Sequence, residues 1–251
     1  MLFRSLSAAA AMVRAAEALG ANGRVAAALD LLRTCTELIE PHAAPWVLAD
    51  AERVRAALHL GLGDAWGAVE ILDGCAAAGE PAAPYLLRRA WLETLAEARL
   101  AIGDTPAALA AHLRALEAVS SPPDELHRAF HSGMVAVLTA RPEPLTEAVE
   151  ALAGLGVPGL LARLLRLGGV IGRDPEILAS AEEEARRAGD QLLLLDILHA
   201  RRLPRLRAEA RALYERLSEG LFGPLATRFA EAPASRWAAG ERGRSRHDTG
   251  G

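Results

Sequence analysis

The sequence predicts an all-α protein, a solenoid of stacked helical hairpins. First, a turn glycine with an alanine five positions later recurs every 40 residues, at Gly23, Gly63 and Gly103. Second, Ala, Leu, Arg and Glu dominate a composition that is 51% hydrophobic but only 4% aromatic, which is typical of closely packed helices. Third, the sequence contains no runs typical of strands. Because one hairpin cannot bury its apolar face alone, repeated hairpins must stack on their neighbours.

The first three predicted hairpins carry this repeat and span residues 5–40, 46–79 and 85–119. In the second and third hairpins an aspartate follows the turn glycine. Its side chain can cap the free N–H groups of the next helix, as we expect for Asp64 and Asp104. Segments that contain proline separate the hairpins and end their second helices.

Three further hairpins are predicted over residues 125–154, 158–188 and 190–219, where the repeat weakens. The fourth hairpin keeps the register, because Ala148 lies 40 residues after Ala108. Its turn contains prolines instead of glycine, and the last two hairpins are spaced more closely. The terminal repeats of a stack are expected to be atypical, so the prediction is five or six hairpins.

One helical repeat domain is therefore predicted over residues 1–230, with a disordered tail over residues 231–251. Ala, Gly, Arg and Ser make up most of the tail, which has almost no large apolar side chains. Such a segment buries too little apolar surface to offset the conformational entropy lost when its backbone is ordered.

The charged residues exclude several function classes. All 28 basic residues are arginine, so mechanisms that need a phosphate-binding or Schiff-base lysine are excluded. The formal net charge of −4, with both signs interspersed, predicts no general affinity for nucleic acid. No apolar stretch approaches the roughly 20 residues that span a bilayer, so no membrane association is predicted.

The two cysteines occupy equivalent places in consecutive repeats, at Cys35 and Cys75. Equivalent positions of stacked helices lie about 10 Å apart, which is too far for a disulfide. Both cysteines are therefore predicted to be small buried residues in a reducing, cytoplasmic compartment.

Two clusters contain side chains that could support chemistry. His127 and His131 are four residues apart, as in metal-binding helices, but no third ligand lies near them in the sequence, so neither a metal nor another cofactor is predicted. The acidic run 182–184 precedes Arg186 and Arg187, which favours a solvated, self-paired helix face over acid–base catalysis. We therefore predict that the chain is not an enzyme.

The densest positive cluster surrounds Pro204. It consists of Arg201, Arg202, Arg205, Arg207 and Arg211. Such a cluster can dock a phosphate or an acidic partner, but a solvated elbow between two helices is the more common outcome.

The hairpins resemble tetratricopeptide repeats in the order of a turn glycine, a small residue, a bulky residue and a second small residue. Repeat one supplies Gly23, Ala28, Leu32 and Cys35, and repeat two supplies Gly63, Ala68, Leu72 and Cys75. Repeat three departs from the pattern with His112 at the bulky position. The resemblance implies a right-handed superhelix whose first helices line a concave face. The 40-residue spacing is similar to the longer variant found in bacterial transcriptional activators and in kinase and ATPase regulators.

The same resemblance places five residues on or beside the inner face of the first helices. They are Glu17, Arg53, Glu93, Glu97 and Phe130. The lysines and asparagines that clamp a peptide carboxylate in some relatives are missing from the corresponding positions. A partner segment with basic residues followed by an aliphatic anchor would complement this groove.

These features predict a non-catalytic scaffold that binds a protein or peptide on its concave face. The resemblance implies a module of a bacterial signalling or transcriptional regulator. The alternative is an effector-sensing domain that holds a small molecule within the superhelix.

Overall fold

The computed structural model describes residues 2–39, 44–77, 85–118 and 124–240, and this part of the chain is entirely helical with irregular connections. The described residues form fourteen α-helices, with a short 3-10 helix at Pro204–Leu206. The helices are α1 (Leu2–Ala21), α2 (Val25–Leu38), α3 (Pro45–Gly61), α4 (Ala65–Ala77), α5 (Tyr85–Ala101), α6 (Thr105–Ala118), α7 (Glu125–Leu138), α8 (Pro142–Gly154), α9 (Pro158–Gly172), α10 (Pro175–Ala188), α11 (Gln191–Arg201), α12 (Arg207–Ser218), α13 (Gly223–Glu231) and α14 (Pro233–Ala239).

The helices pack in consecutive pairs, from α1 with α2 to α9 with α10. First helices of neighbouring pairs also touch, since α1 contacts α3, α3 contacts α5 and α7 contacts α9. This arrangement confirms the predicted all-α solenoid of helical hairpins. Within the described residues, no helix is both long and apolar enough to cross a membrane.

The repeat positions predicted to be small are packing positions in the structure. Ala28, Ala68 and Ala108 have no exposed surface, and neither does Cys35. A side chain larger than alanine would collide with the neighbouring helix at these places. Cys75 differs from the prediction because it is only half-buried, although both cysteines are free thiols as expected.

Each of the six predicted hairpins turns through a residue in the left-handed backbone region. The first three use the repeated glycines, with φ between 76° and 85°. The last three instead place Ala140, Arg173 and Arg202 there, with φ of 55°, 53° and 50°. This conformation costs a residue with a β-carbon roughly 1–2 kcal/mol. The last three hairpins nevertheless keep the left-handed turn, although glycine is absent there.

The chain then folds back on itself. A single core joins buried residues of α1, α2 and α3 with residues of α9 to α14. The return covers the turns of the first two hairpins: a β-carbon added at Gly63 would lie 2.6 Å from that of Ala232. The Arg228 guanidinium also donates to the Asp64 carboxylate at 2.6 Å. The C-terminal helices therefore close over the beginning of the array.

Part of the predicted disordered tail is ordered. Residues 233–239 form α14, in which Ser235 and Ala238 are buried. Trp237 packs on the core, and the Arg207 guanidinium lies 5.6 Å from the centre of its ring. The composition of this segment did not predict a helix, because one tryptophan and several small side chains make its contacts with the core. The helical domain thus continues past residue 230, while residues 241–251 lie outside the described part.

Candidate binding cavity

A cavity of about 1640 Å³ lies between the first helices of the hairpins and the returning C-terminal helices. Its wall includes residues of α1, α3, α5, α7, α9 and α11, and of α13 and α14. Much of the wall is apolar. Its apolar residues include Val54, Leu58, Leu100, Met134, Val137, Leu160, Leu167, Leu192 and Leu195.

Four of the five residues predicted to face inward line this cavity: Glu17, Arg53, Glu93 and Glu97. Phe130 does not, because it is fully buried in a cluster with Leu152 and Leu164. The cavity face of α7 instead carries His127, Met134 and Leu138. Phe130 lies to one side of this stripe, over α8 and α9, so its assignment to the groove was wrong.

Two arginines neutralise Glu17 on the wall formed by α1 and α3. Arg53 is buried and donates through Nε to Asp50 at 2.9 Å and through Nη2 to Glu17 at 3.0 Å. Burial opposes its charge, but Glu17 and Asp50 outweigh that effect and raise the pKa of the guanidinium. Arg14 binds the same two carboxylates. The charges on this wall therefore satisfy one another.

A third arginine binds Glu93 and Glu97, the two acids of α5 that were predicted to face the groove. Arg163 of α9 donates through Nη1 to Glu93 at 2.7 Å and lies 3.4 Å from Glu97. Burial raises the pKa of the Glu97 carboxyl, and Glu93 adds to this effect while Arg163 opposes it. Because Arg163 already meets both acids, the structure removes the reason for expecting a basic partner segment at this point.

The lining contains more arginines than acidic residues, although the chain carries a net charge of −4. Eight arginines and five acidic residues of the described chain face the cavity. The arginines are Arg14, Arg53, Arg89, Arg163, Arg166, Arg173, Arg201 and Arg202, and the acids are Glu17, Glu93, Glu97, Asp190 and Asp196. Three acids outside the lining, Asp50, Asp124 and Glu182, also pair with these arginines, so any charge preference depends on the arginines that are left without an ion pair.

Six of these arginines form ion pairs, and two do not. Arg89 binds Asp124, Arg166 binds Asp196 at 2.6 Å and Arg201 binds Glu182, in addition to the three paired arginines described above. Arg173 and Arg202 are exposed and form no ion pair with any residue that the structure describes. The unsatisfied positive charge of the cavity is therefore at these two side chains.

The histidines at positions 127 and 131 do not converge on a metal. The His127 ring nitrogen Nδ1 lies 2.9 Å from the Asp124 carboxylate. His131 is fully buried, and its Nδ1 lies 3.0 Å from Nδ1 of His112. Within the described residues, no group of three or more His, Cys, Asp or Glu side chains is arranged to hold a metal ion.

The acidic run is not simply a solvated face. Glu182 is buried and accepts from Arg186 at 2.8 Å and from Arg201, while Arg186 also donates to Glu209. This network joins α10, α11 and α12. The four-residue spacing in the sequence predicted the bond between Glu182 and Arg186 within α10. It could not predict the bonds to Arg201 and Glu209, because these residues lie on other helices.

The predicted arginine cluster around Pro204 separates into different roles. Arg201 binds Glu182, Arg207 stacks on Trp237 and Arg211 donates to Glu215 at 3.2 Å. Only Arg202 of the cluster faces the cavity without an ion pair. The cluster is therefore not one continuous anion site.

The sequence matches no protein-family model, no curated protein and no solved structure. The resemblance to tetratricopeptide repeats therefore remains a prediction from the residues that carry it.

Proposed function

We propose that this chain is a binding module that holds a peptide or an extended segment of a partner protein in the cavity between its first helices. The observation that carries the proposal is the cavity of about 1640 Å³ in a solenoid of helical hairpins. Pockets for drug-sized ligands occupy about 300–1,000 Å³, so this space suits a longer ligand. The resemblance to regulator repeats adds the proposal that the module belongs to a bacterial signalling or transcriptional regulator.

The composition of the wall supports a binding role. Apolar side chains provide contact area, and the ion-paired arginines and acids provide polar groups in fixed positions, as ligand sites require. Each charged network ties helices of different hairpins together, for example Arg163 with Glu93 and Arg53 with Glu17. A ligand therefore meets a wall that is already organised.

The state of the reactive side chains supports a non-catalytic role. Burial raises the pKa of both thiols, at Cys35 and Cys75, which disfavours the nucleophilic thiolate. Burial also keeps His112 and His131 neutral and paired with each other. Free thiols further favour a reducing compartment such as the cytoplasm.

A small-molecule effector is the second candidate. The observation that favours it is the return of the C-terminal helices, which encloses more of the concave face than an open peptide groove would need. Such a sensor would bind a compact ligand among the apolar and charged groups of the same wall.

The test begins with selection of peptides from a random display library on the immobilised chain, followed by calorimetry with the synthetic peptides. Ala90 lines the cavity, so Ala90→Trp fills part of it. Ala110 is exposed on α6 away from the cavity, and Ala110→Trp is the matched control. We expect Ala90→Trp to weaken binding by about tenfold or more, while the control binds like the unaltered chain.

The proposal is wrong if no peptide is enriched, or if Ala90→Trp binds the enriched peptides as well as Ala110→Trp does. A thermal-shift screen with metabolites examines the second candidate. Compounds that raise the melting temperature of the control but not of Ala90→Trp, with no peptide enriched, would favour the effector sensor.

A further inference from the structure

The C-terminal ends of α9 and α11 lie at the same edge of the cavity. Arg166 of α9 and Asp196 of α11 form an ion pair of 2.6 Å, and the two helices run in the same direction because α10 returns the chain between them. Arg173 follows Arg166 by seven residues, and Arg202 follows Asp196 by six. At about 1.5 Å per helical residue, both arginines lie roughly 10 Å beyond the ion pair.

These two arginines hold a backbone conformation that favours glycine. Their φ angles are 53° and 50°, in the left-handed region. The first three hairpins place glycine at the same turn, and the chain also uses Gly156 and Gly189 in left-handed turns between neighbouring hairpins. The fold therefore does not need arginine at either position, and the backbone is less relaxed than it would be with glycine.

Both guanidinium groups are available to a ligand. Each side chain is exposed, lines the cavity and forms no ion pair with a described residue, whereas nearby Arg166 and Arg201 are paired. An arginine binds a carboxylate through two parallel hydrogen bonds. Long side chains on helices about 10 Å apart can reach one carboxylate or two neighbouring ones.

Aliphatic surface lies beside the charges. Val170 and Ile171, in the last turn of α9, line the cavity and are 42% and 52% exposed. These residues are exposed and still part of the cavity wall, so they mark an opening. We call this opening the cavity mouth and define it by Val170, Ile171, Arg173 and Arg202.

We propose that the cavity mouth binds an acidic, aliphatic stretch of the peptide, with carboxylates on Arg173 and Arg202 and aliphatic side chains on Val170 and Ile171. Arg173 and Arg202 are the lining arginines that form no ion pair with a described residue, so this preference arises at the mouth. This inference rests on the proposed function and names the chemistry of the partner segment.

The probe is a short fluorescein-labelled peptide in which leucine alternates with glutamate. Matched peptides carry glutamine or arginine in place of glutamate. We expect fluorescence anisotropy to show that the glutamate peptide binds at least about tenfold more tightly than the glutamine peptide, and that added salt reduces the difference. We expect the arginine peptide to bind more weakly than either.

The decisive variant replaces both arginines by glycine, Arg173→Gly with Arg202→Gly. Glycine accepts the left-handed backbone, so the melting temperature should be unchanged or higher. Affinity for the glutamate peptide should fall to that of the glutamine peptide. The control removes two exposed arginines elsewhere, with Arg128→Gln and Arg216→Gln, and should keep the preference for glutamate.

Two results with the glycine variant would overturn the inference. One is a glycine variant that still prefers the glutamate peptide. The other is a glycine variant with a lower melting temperature, which would mean that the arginines stabilise the helix ends instead of binding a ligand. If all the peptides bind equally and Ala90→Trp weakens the binding of each, the inference about the cavity mouth is wrong but the proposed function stands. The proposed function fails separately, if the peptide library yields no cavity-dependent binder.

Discussion

We predict that the buried histidine pair makes the fold sensitive to mild acid. His112 of α6 and His131 of α7 have no exposed surface, and their Nδ1 atoms lie 3.0 Å apart. One nitrogen must donate and the other accept, so the accepting ring must be neutral and the two rings cannot both be charged while they are bonded. Burial lowers both pKa values from 6.5 to about 3. His131 adds to the effect on His112, and His127 and Arg89 add to the effect on His131, while Glu93 and Asp124 oppose it.

The direction and the size of this change in stability follow from the linkage between proton binding and folding. Below pH 6.5 the unfolded chain binds protons on both histidines, but the folded chain does not until the pH approaches 3. Stability is therefore lost as the pH falls from about 6.5 towards 3. At pH 5 the loss is about 2 kcal/mol for each histidine, or roughly 4 kcal/mol for the pair. Domains have stabilities of about 5–15 kcal/mol, so this is a large fraction.

Urea denaturation at pH 7 and pH 5 measures the loss. The informative variant is the double change His112→Leu with His131→Leu. The first two repeats place leucine at the position of His112, and removing both partners leaves no buried polar group unpaired. We expect the unaltered chain to lose about 4 kcal/mol more between the two pH values than the double variant does.

The double variant also separates this pair from other groups. Burial lowers the pKa of His199 as well, so the unaltered chain alone cannot assign the effect. If the double variant loses as much stability between pH 7 and pH 5 as the unaltered chain, the buried pair is not the acid-sensitive element. The reasoning from its burial and geometry would then be refuted.

Three further predictions concern the scaffold. Ala68→Leu overfills a helix contact and should cost about 1–3 kcal/mol in chemical denaturation, whereas Ala110→Leu on the exposed face should be nearly neutral; equal effects would contradict the repeat register. Glu182→Gln weakens the buried network and should cost about 2 kcal/mol, while exposed Glu183→Gln should change stability by less than about 0.5 kcal/mol. A chain that ends at Ala230 loses the packing of α14 and should melt about 2–4 °C lower for each kcal/mol of packing lost, so an unchanged melting temperature would contradict the docking of that helix.

The periodic features of the fold were predictable because they are local. A turn glycine, a capping aspartate and a small packing residue act over one hairpin, and their spacing is visible in the sequence. Ala28, Ala68 and Ala108 are accordingly all fully buried. The same register placed Glu93 and Glu97 on the inner face, where they line the cavity.

The interactions that close the cavity were not predictable in this way. Arg163 lies 70 residues from Glu93, and Arg228 lies 164 residues from Asp64. Such contacts depend on how far the solenoid has curved when its last helices form, and a repeat pattern describes only nearest neighbours. Phe130 was misassigned for a related reason, since the direction of its side chain depends on how α8 and α9 pack against α7.

Because the array is closed, Glu93 is already paired, and selection between acidic and basic ligands is expected at the cavity mouth instead. A basic ligand group that approached Glu93 would have to displace Arg163, and leaving a half-buried guanidinium without its partner costs free energy. Arg173 and Arg202 form no ion pair with any described residue, so an acidic ligand group at the cavity mouth displaces no carboxylate of this part of the chain. Reversing Glu93 and Glu97 would bring new arginines against Arg163 and so test the fold more than the binding. Substitution of the mouth arginines by glycine removes their charge and suits the left-handed backbone. It should therefore change ligand affinity without lowering the stability of the fold.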